Sequence, residues 1–145
     1  MKKASSAVFG VTLCLLVAMT FAQDVKPYKE GQVTEVSYIK IKPGQFNEYM
    51  RWLSTQYKQL MEANKKAGLI VSYAVYSAQA RSPREPDLIL TITYANMAAL
   101  DRIEEGEALA TKVMGSMSTQ DKAFADRGSM REVLGSELVR ELVLK

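Results

Sequence analysis

The sequence predicts an α+β domain: an antiparallel sheet with helices on one face, its elements in the order β-α-β-β-α-β. Three observations point to it. Apolar spacing between Val33 and Tyr94 changes from that of a strand to that of a helix and back to a strand. Turn formers sit where it changes, at Lys42-Pro43-Gly44, at Gly68 and between Pro83 and Pro86. A second helical region and a closing apolar run then complete the order.

Val33 to Ile41 is rich in β-branched and aromatic residues and reads as the first strand. From Gln45 to Ala67, Phe46, Tyr49, Met50, Leu53, Tyr57, Leu60 and Met61 make one apolar stripe at helical spacing. Lys65 and Lys66 suit the negative end of that helix dipole, and Gly68 suits its C-terminal cap. Leu69 to Tyr76 reads as the second strand, Ser77 to Pro86 as a loop, and Asp87 to Tyr94 as the third strand. Asn96 is a fitting N-cap for a helix through about Glu105, and Gly106 to Met117 continues with weaker periodicity. Ser118 is placed to cap another short helix ending near Gly128. Val133 to Leu144 is expected as the last strand, although Leu134, Leu138 and Leu142 also fit a helix. The second helical region is therefore enlarged, and the order is the ferredoxin-like split βαβ arrangement.

Leu69, Val71, Tyr73 and Val75 oppose Ile70, Ala74 and Tyr76, so the strands do not alternate cleanly. Leu88, Leu90, Ile92 and Tyr94 likewise oppose Ile89, Thr91 and Thr93. A half-solvated antiparallel sheet alternates apolar with polar. Two partly apolar faces imply a cover on the far side, and a second copy is the economical one. The expected partner is thus a homodimer mate joined through sheet faces.

Val36-Ser-Tyr-Ile-Lys-Ile-Lys-Pro-Gly-Gln-Phe-Asn-Glu-Tyr49 resembles the first strand and helix start of dimeric α/β-barrel proteins. These include antibiotic-biosynthesis-type monooxygenases, EthD-like proteins and NIPSNAP-like domains. The resemblance in element order covers most of Val33 to Lys145. It implies sheet-to-sheet pairing and a small apolar or aromatic ligand held between sheet and helices. The haem-degrading branch has an Asn and a Trp on its first helix, matched here by Asn47 and Trp52. Its histidine has no counterpart, because this chain contains none.

The absence of histidine excludes Ser-His-Asp and Cys-His nucleophile systems, His-ligated zinc and His-ligated haem. No P-loop or G-x-G-x-x-G pattern is present. No cofactor or metal is expected, and no catalytic residue is identified. Tyr49, Trp52, Tyr57, Tyr73 and Tyr94 are the ligand-pocket candidates, since their hydroxyl and indole groups can orient an otherwise apolar ligand. Core or dimer packing is the competing role for the tyrosines. Trp52 sits roughly 120° from the centre of the stripe, on its flank with Gln45 and Gln56. Arg81 and Arg84 fall in the loop, where a solvated role is the ordinary one. Met114, Met117 and Met130 border the second helical region as adaptable filling. Glu104, Glu105 and Glu107 form an acidic cluster without a ligand set.

Lys2 and Lys3, an apolar run from Val8 to Ala18, and Thr20-Phe21-Ala22 have the three parts of a cleavable signal peptide. The run is shorter than the roughly 20 apolar residues of a permanent span. The expected organisation is residues 1–22 as signal peptide, 23–32 as a flexible polar arm, and 33–145 as the folded domain. Cleavage removes two of the 19 basic residues and none of the 16 acidic ones, which leaves a mature chain close to neutral. Neither a nucleic-acid binder nor a stable membrane anchor is expected. The one cysteine, Cys14, leaves with the signal, so the domain holds without disulfides in the periplasm or outside the cell. The leading function is an exported ligand-binding or accessory protein. A cofactor-free monooxygenase or isomerase and a purely structural interaction module are the alternatives.

Overall fold

The structure, a computed structural model, describes residues 26–145. The signal segment and the first residues of the expected arm lie outside the described residues. The elements run β1 (Tyr28–Ile41), α1 (Phe46–Trp52), a π-helical turn (Leu53–Tyr57), α2 (Lys58–Lys66), β2 (Ser72–Ser77) and β3 (Leu88–Tyr94). A 3₁₀ turn (Met97–Asp101), α3 (Ile103–Met114), α4 (Met117–Met130) and β4 (Arg131–Leu144) follow. The four strands lie in the order β2-β3-β1-β4, every neighbouring pair antiparallel. The two helical crossovers join strands that are not neighbours, as in the ferredoxin-like arrangement expected above.

Lys42-Pro43-Gly44 turns the chain from β1 into α1. Gly44 has φ 77°, the left-handed region, and the Gln45 amide donates to the Lys42 carbonyl at 3.0 Å. Proline followed by a left-handed glycine is what this tight turn demands. At the far end of α2 the Gly68 amide donates to Lys65 and the Leu69 amide to Asn64, with Gly68 at φ 67°. This is a Schellman cap, which needs glycine at its left-handed position.

The apolar stripe packs on the sheet with one addition that spacing did not predict. Tyr49, Leu53, Tyr57 and Met61 are all buried, each four residues from the last. Twelve residues of regular α-helix would rotate Met61 about 120° away from Tyr49. The π turn, whose last bond runs from the Lys58 amide to the Leu53 carbonyl, absorbs most of that drift. Phe46, expected in the stripe, precedes the turn and is half exposed. Ile39, Leu88 and Leu90 meet the stripe from the sheet, and Met130 closes the cluster from α4.

Several expected boundaries move. Tyr28 to Gln32, assigned to the flexible arm, belong to β1, where Tyr28, Lys29 and Glu30 pair with Leu144, Val143 and Leu142. Backbone pairing with β4 outweighs their polar composition. Leu69 and Ile70 are both buried and precede β2. Consecutive buried side chains do not fit the alternation of a half-covered strand, so β2 starts later than expected. Asn96 does cap, its Oδ1 accepting from the Ala99 amide at 3.1 Å, but it caps the 3₁₀ turn. Ser116, not Ser118, caps α4. The closing apolar run is the strand it was expected to be.

Asp87 ties the loop between β2 and β3 to the end of β1. Its carboxylate accepts from the Ile41 amide at 2.8 Å and from Lys40 Nζ at 2.9 Å. The Ile41 amide, aided by Lys40, holds the carboxyl below its ordinary range. Asp87→Asn should cost about 1.5–3 kcal/mol in urea unfolding, the scale of a hydrogen bond to a charged group. The folded-state value is depressed, so the contribution of Asp87 is complete above the unfolded pKa of about 3.9 and falls away as pH drops through the lower folded value. Wild type and variant should therefore converge in stability under acid conditions.

Candidate functional site

β1 alternates Val33, Glu35, Ser37 and Ile39 onto the helix-covered side. Their register partners Tyr94, Ile92, Leu90 and Leu88 share that face. The α1–α2 helix lies over β3 and one flank of β1, while β4 contributes nothing to the buried core. The helices thus leave the β4 side of this face open, and the Tyr49 end of the candidate site, beside Arg131, approaches it.

Four of the five sequence-selected aromatics form one row. The Tyr49 and Trp52 rings stack at 5.9 Å and 7°. Trp52 meets Tyr57 at 5.9 Å, and Tyr57 meets Tyr73 edge to face at 5.9 Å. Trp52 Nε1 donates to Gln56 Oε1 at 3.0 Å, and Tyr73 Oη donates to Glu62 at 2.7 Å. The hydroxyls of Tyr49 and Tyr57 are buried and have no partner among the described residues. A buried hydroxyl left without a partner costs about 1–3 kcal/mol, which an incoming acceptor would recover.

Tyr94 makes no ring contact with the row, although its hydroxyl and Glu35 both act electrostatically on Tyr57. Its hydroxyl faces Glu35 at 3.4 Å, and its ring lines a cavity of about 220 Å³ with Met61, Leu69, Ile70, Leu100 and Ile103. Arg102 borders this cavity and is fully engaged, by Glu105 at 2.8 and 2.7 Å and by the Gly68 carbonyl at 2.9 Å. Trp52 instead borders a groove of about 200 Å³ with Gln56, Thr119 and Lys122.

The electrostatics keep the phenols protonated. Burial and the charge of Glu35 push Tyr94 up to about 12. The hydrogen bond to Glu62, then burial, pushes Tyr73 up to about 12. Burial raises Tyr57 further, and it raises Tyr49 against the opposing charges of Arg131 and Arg127. At neutral pH all four phenols keep their protons: Tyr94 and Tyr73 donate hydrogen bonds to Glu35 and Glu62, and only Tyr49 and Tyr57 have no acceptor among the described residues.

Three polar residues here were missed from sequence. Glu35 sits on the covered face, a position that strict alternation along Val33 to Ile39 would have revealed. Arg127 lies 4.8 Å over Trp52, and Arg131 lies 5.7 Å over Tyr49. Their convergence depends on how α4 runs into β4, which no local pattern encodes. Arg81 is exposed beside Glu85, Met130 is core, and Met117 is exposed. No cluster of three metal-ligating side chains occurs among the described residues.

No family model matches the chain, and no curated protein matches it. Among solved structures, protein SO0527 from Shewanella oneidensis superposes with a TM-score of 0.52 at 14% identity, over 80% of this chain and 98% of that one. The fold is ferredoxin-like. HapK from Hahella chejuensis matches at TM-score 0.49 and 18% identity, over 75% of this chain and 91% of its own. A dimeric ferredoxin-like protein from an uncultured marine organism matches at 0.49 and 8%, over 81% and 90%. At such identities the likeness is one of fold alone.

Proposed function

We propose that this is an exported homodimer that binds a small apolar or aromatic ligand on the helix side of its sheet. The observation that carries the reading is the pair of buried, unpartnered hydroxyls, Tyr49 and Tyr57, set in a continuous aromatic row that runs from Tyr49 near the start of β4 to Tyr73 on β2. A ligand with an apolar body and one acceptor suits that combination. The homodimer is supported by β4, which exposes Val133, Leu138, Val139, Leu142 and Val143 on an uncovered strand. By register Val139 lies with Ile89 and Val36 on the face that no described helix covers, and apolar side chains gathered on one open face are what a partner sheet would bury. Export rests on residues 1–22 of the sequence.

Glu35 beside Tyr94 favours a second reading, a cofactor-free enzyme that uses a carboxylate in an apolar setting to take a proton from its substrate. Native mass spectrometry of the protein isolated from its own periplasm tests both. The expected result is a dimer of chains beginning at Gln23 that retains a small molecule. Chains that keep Met1 in a membrane fraction would refute export. Dimers free of any small molecule would favour a structural interaction module. Turnover of the recovered molecule, abolished by Glu35→Gln, would establish the enzyme.

A further inference from the structure

The last turn of α4 and the first residue of β4 bring two arginines together without an acid. Arg127 Cζ lies 4.8 Å from the Trp52 ring and 5.1 Å from the Phe124 ring, and Arg131 Cζ lies 5.7 Å from the Tyr49 ring. Arg51, Arg81, Arg102 and Arg140 each have a carboxylate in ion-pair contact, and Arg84, exposed in its loop, has none among the described residues. Among the described residues neither Arg127 nor Arg131 has one. Arg127 is half-buried, and its Nε has no hydrogen-bond acceptor. Burial and the charge of Arg131 both disfavour its cation. Asp126, the acid next to Arg127 in sequence, borders the Trp52 groove instead.

Two like charges drawn together in a partly desolvated place, beside a buried hydroxyl lacking a partner, present donors with nothing to receive them. We propose that Arg127 and Arg131 form the anion-binding end of the ligand site and take the carboxylate of a small organic acid beside the Tyr49 hydroxyl. The proposal names the ligand class of the binding function above and rests on it. A carboxylate matches the planar guanidinium fork, neutralises the mutual repulsion, and offers acceptors to the phenol as well. A monoanion fits better than a phosphate dianion, whose desolvation beside the aromatic row would cost more. The apolar remainder of the acid would lie toward Trp52 and the groove it borders.

Trp52 is the only tryptophan, so its emission reports directly on this place. The mature chain is titrated with benzoate and, separately, with uncharged benzamide, at constant ionic strength. Benzoate should shift the emission saturably, with benzamide binding at least about tenfold more weakly, the equivalent of one lost charge-assisted bond. Arg127→Gln and Arg131→Gln should each weaken benzoate by about tenfold with the circular dichroism unchanged. Arg131→Gln decides the matter if loss of Arg127 from the Trp52 face perturbs folding. Equal binding of acid and amide would overturn the carboxylate and leave the ligand-binding function standing. Binding of neither up to millimolar concentration, with a retained neutral molecule in native mass spectrometry, would do the same. Binding of neither with no retained molecule would sink both. A partner subunit's own carboxylate on the two arginines would also appear as no response to benzoate, and would overturn the proposal.

Discussion

Leu53→Ala should destabilise the domain by about 2–5 kcal/mol, the range for truncating a buried leucine. Leu53 is 4% exposed and opens the π turn, between Tyr49 and Tyr57 on the buried side. The wide turn adds to the expected effect. It faces four successive side chains onto the sheet, so a cavity at Leu53 removes support from the tyrosines on either side as well as from the strand beneath. Relaxation by the helix sliding inward is limited, because the Schellman cap at one end and the Lys42–Gln45 turn at the other anchor it. Urea unfolding monitored by circular dichroism gives the measurement. The midpoint should fall with little change in slope, since the same surface is exposed on unfolding. Lys58→Ala, on the exposed side of the same helix, should stay within about 0.5 kcal/mol. A Leu53 variant that behaves like the Lys58 control would mean that the stripe does not hold the helix to the sheet.

The parts of the fold that were readable in advance are those dictated by local chemistry. A proline and a glycine in a four-residue turn, two lysines before a capping glycine, and β-branched runs each constrain the backbone by themselves. The parts that were not readable depend on long-range pairing. Tyr28 to Gln32 look like a polar arm and become strand because β4 returns alongside them. The π turn cannot be seen in the stripe, because residues three and four apart satisfy an α-helix equally well until packing selects the face. The candidate site divides in the same way. Tyr49 and Tyr57 were selected from the helix stripe, Trp52 from its flank and Tyr73 from the strand pattern, and the fold places them in one row. Tyr94 was selected with them and lies at a different cavity. Arg127 and Arg131 carried no signal, since an arginine at the end of a helix and another four residues later are ordinary until the chain turns both toward Trp52 and Tyr49.

Charge reversal of burial on adjacent residues of β3 should separate core from interface. Leu90 is buried on the helix side, paired with Ser37 and Val75. Leu90→Lys places an unpaired ammonium in the core and should cost about 3–5 kcal/mol or abolish folding. Ile89, one residue away, points to the opposite face between Tyr38 and Tyr76, which no helix among the described residues covers. Val36, Ala74, Thr91 and Val139 share that face by register. It is the surface assigned to the partner in the proposed dimer. With the chain's single cysteine inside the proposed signal segment, the two mature copies have no covalent staple and must be held by burial and pairing. Ile89→Lys should therefore leave each subunit folded while dissociating the dimer, because two lysines related by a twofold axis would be desolvated against one another. Sedimentation equilibrium combined with far-ultraviolet circular dichroism reads both effects. The expected outcome is dimeric wild type, a folded and aggregation-prone Ile89→Lys monomer, and an unfolded or severely weakened Leu90→Lys chain. A wild-type monomer at micromolar concentration would remove the dimer. A dimer that survives Ile89→Lys would move the interface from the open sheet face to the uncovered flank of β4.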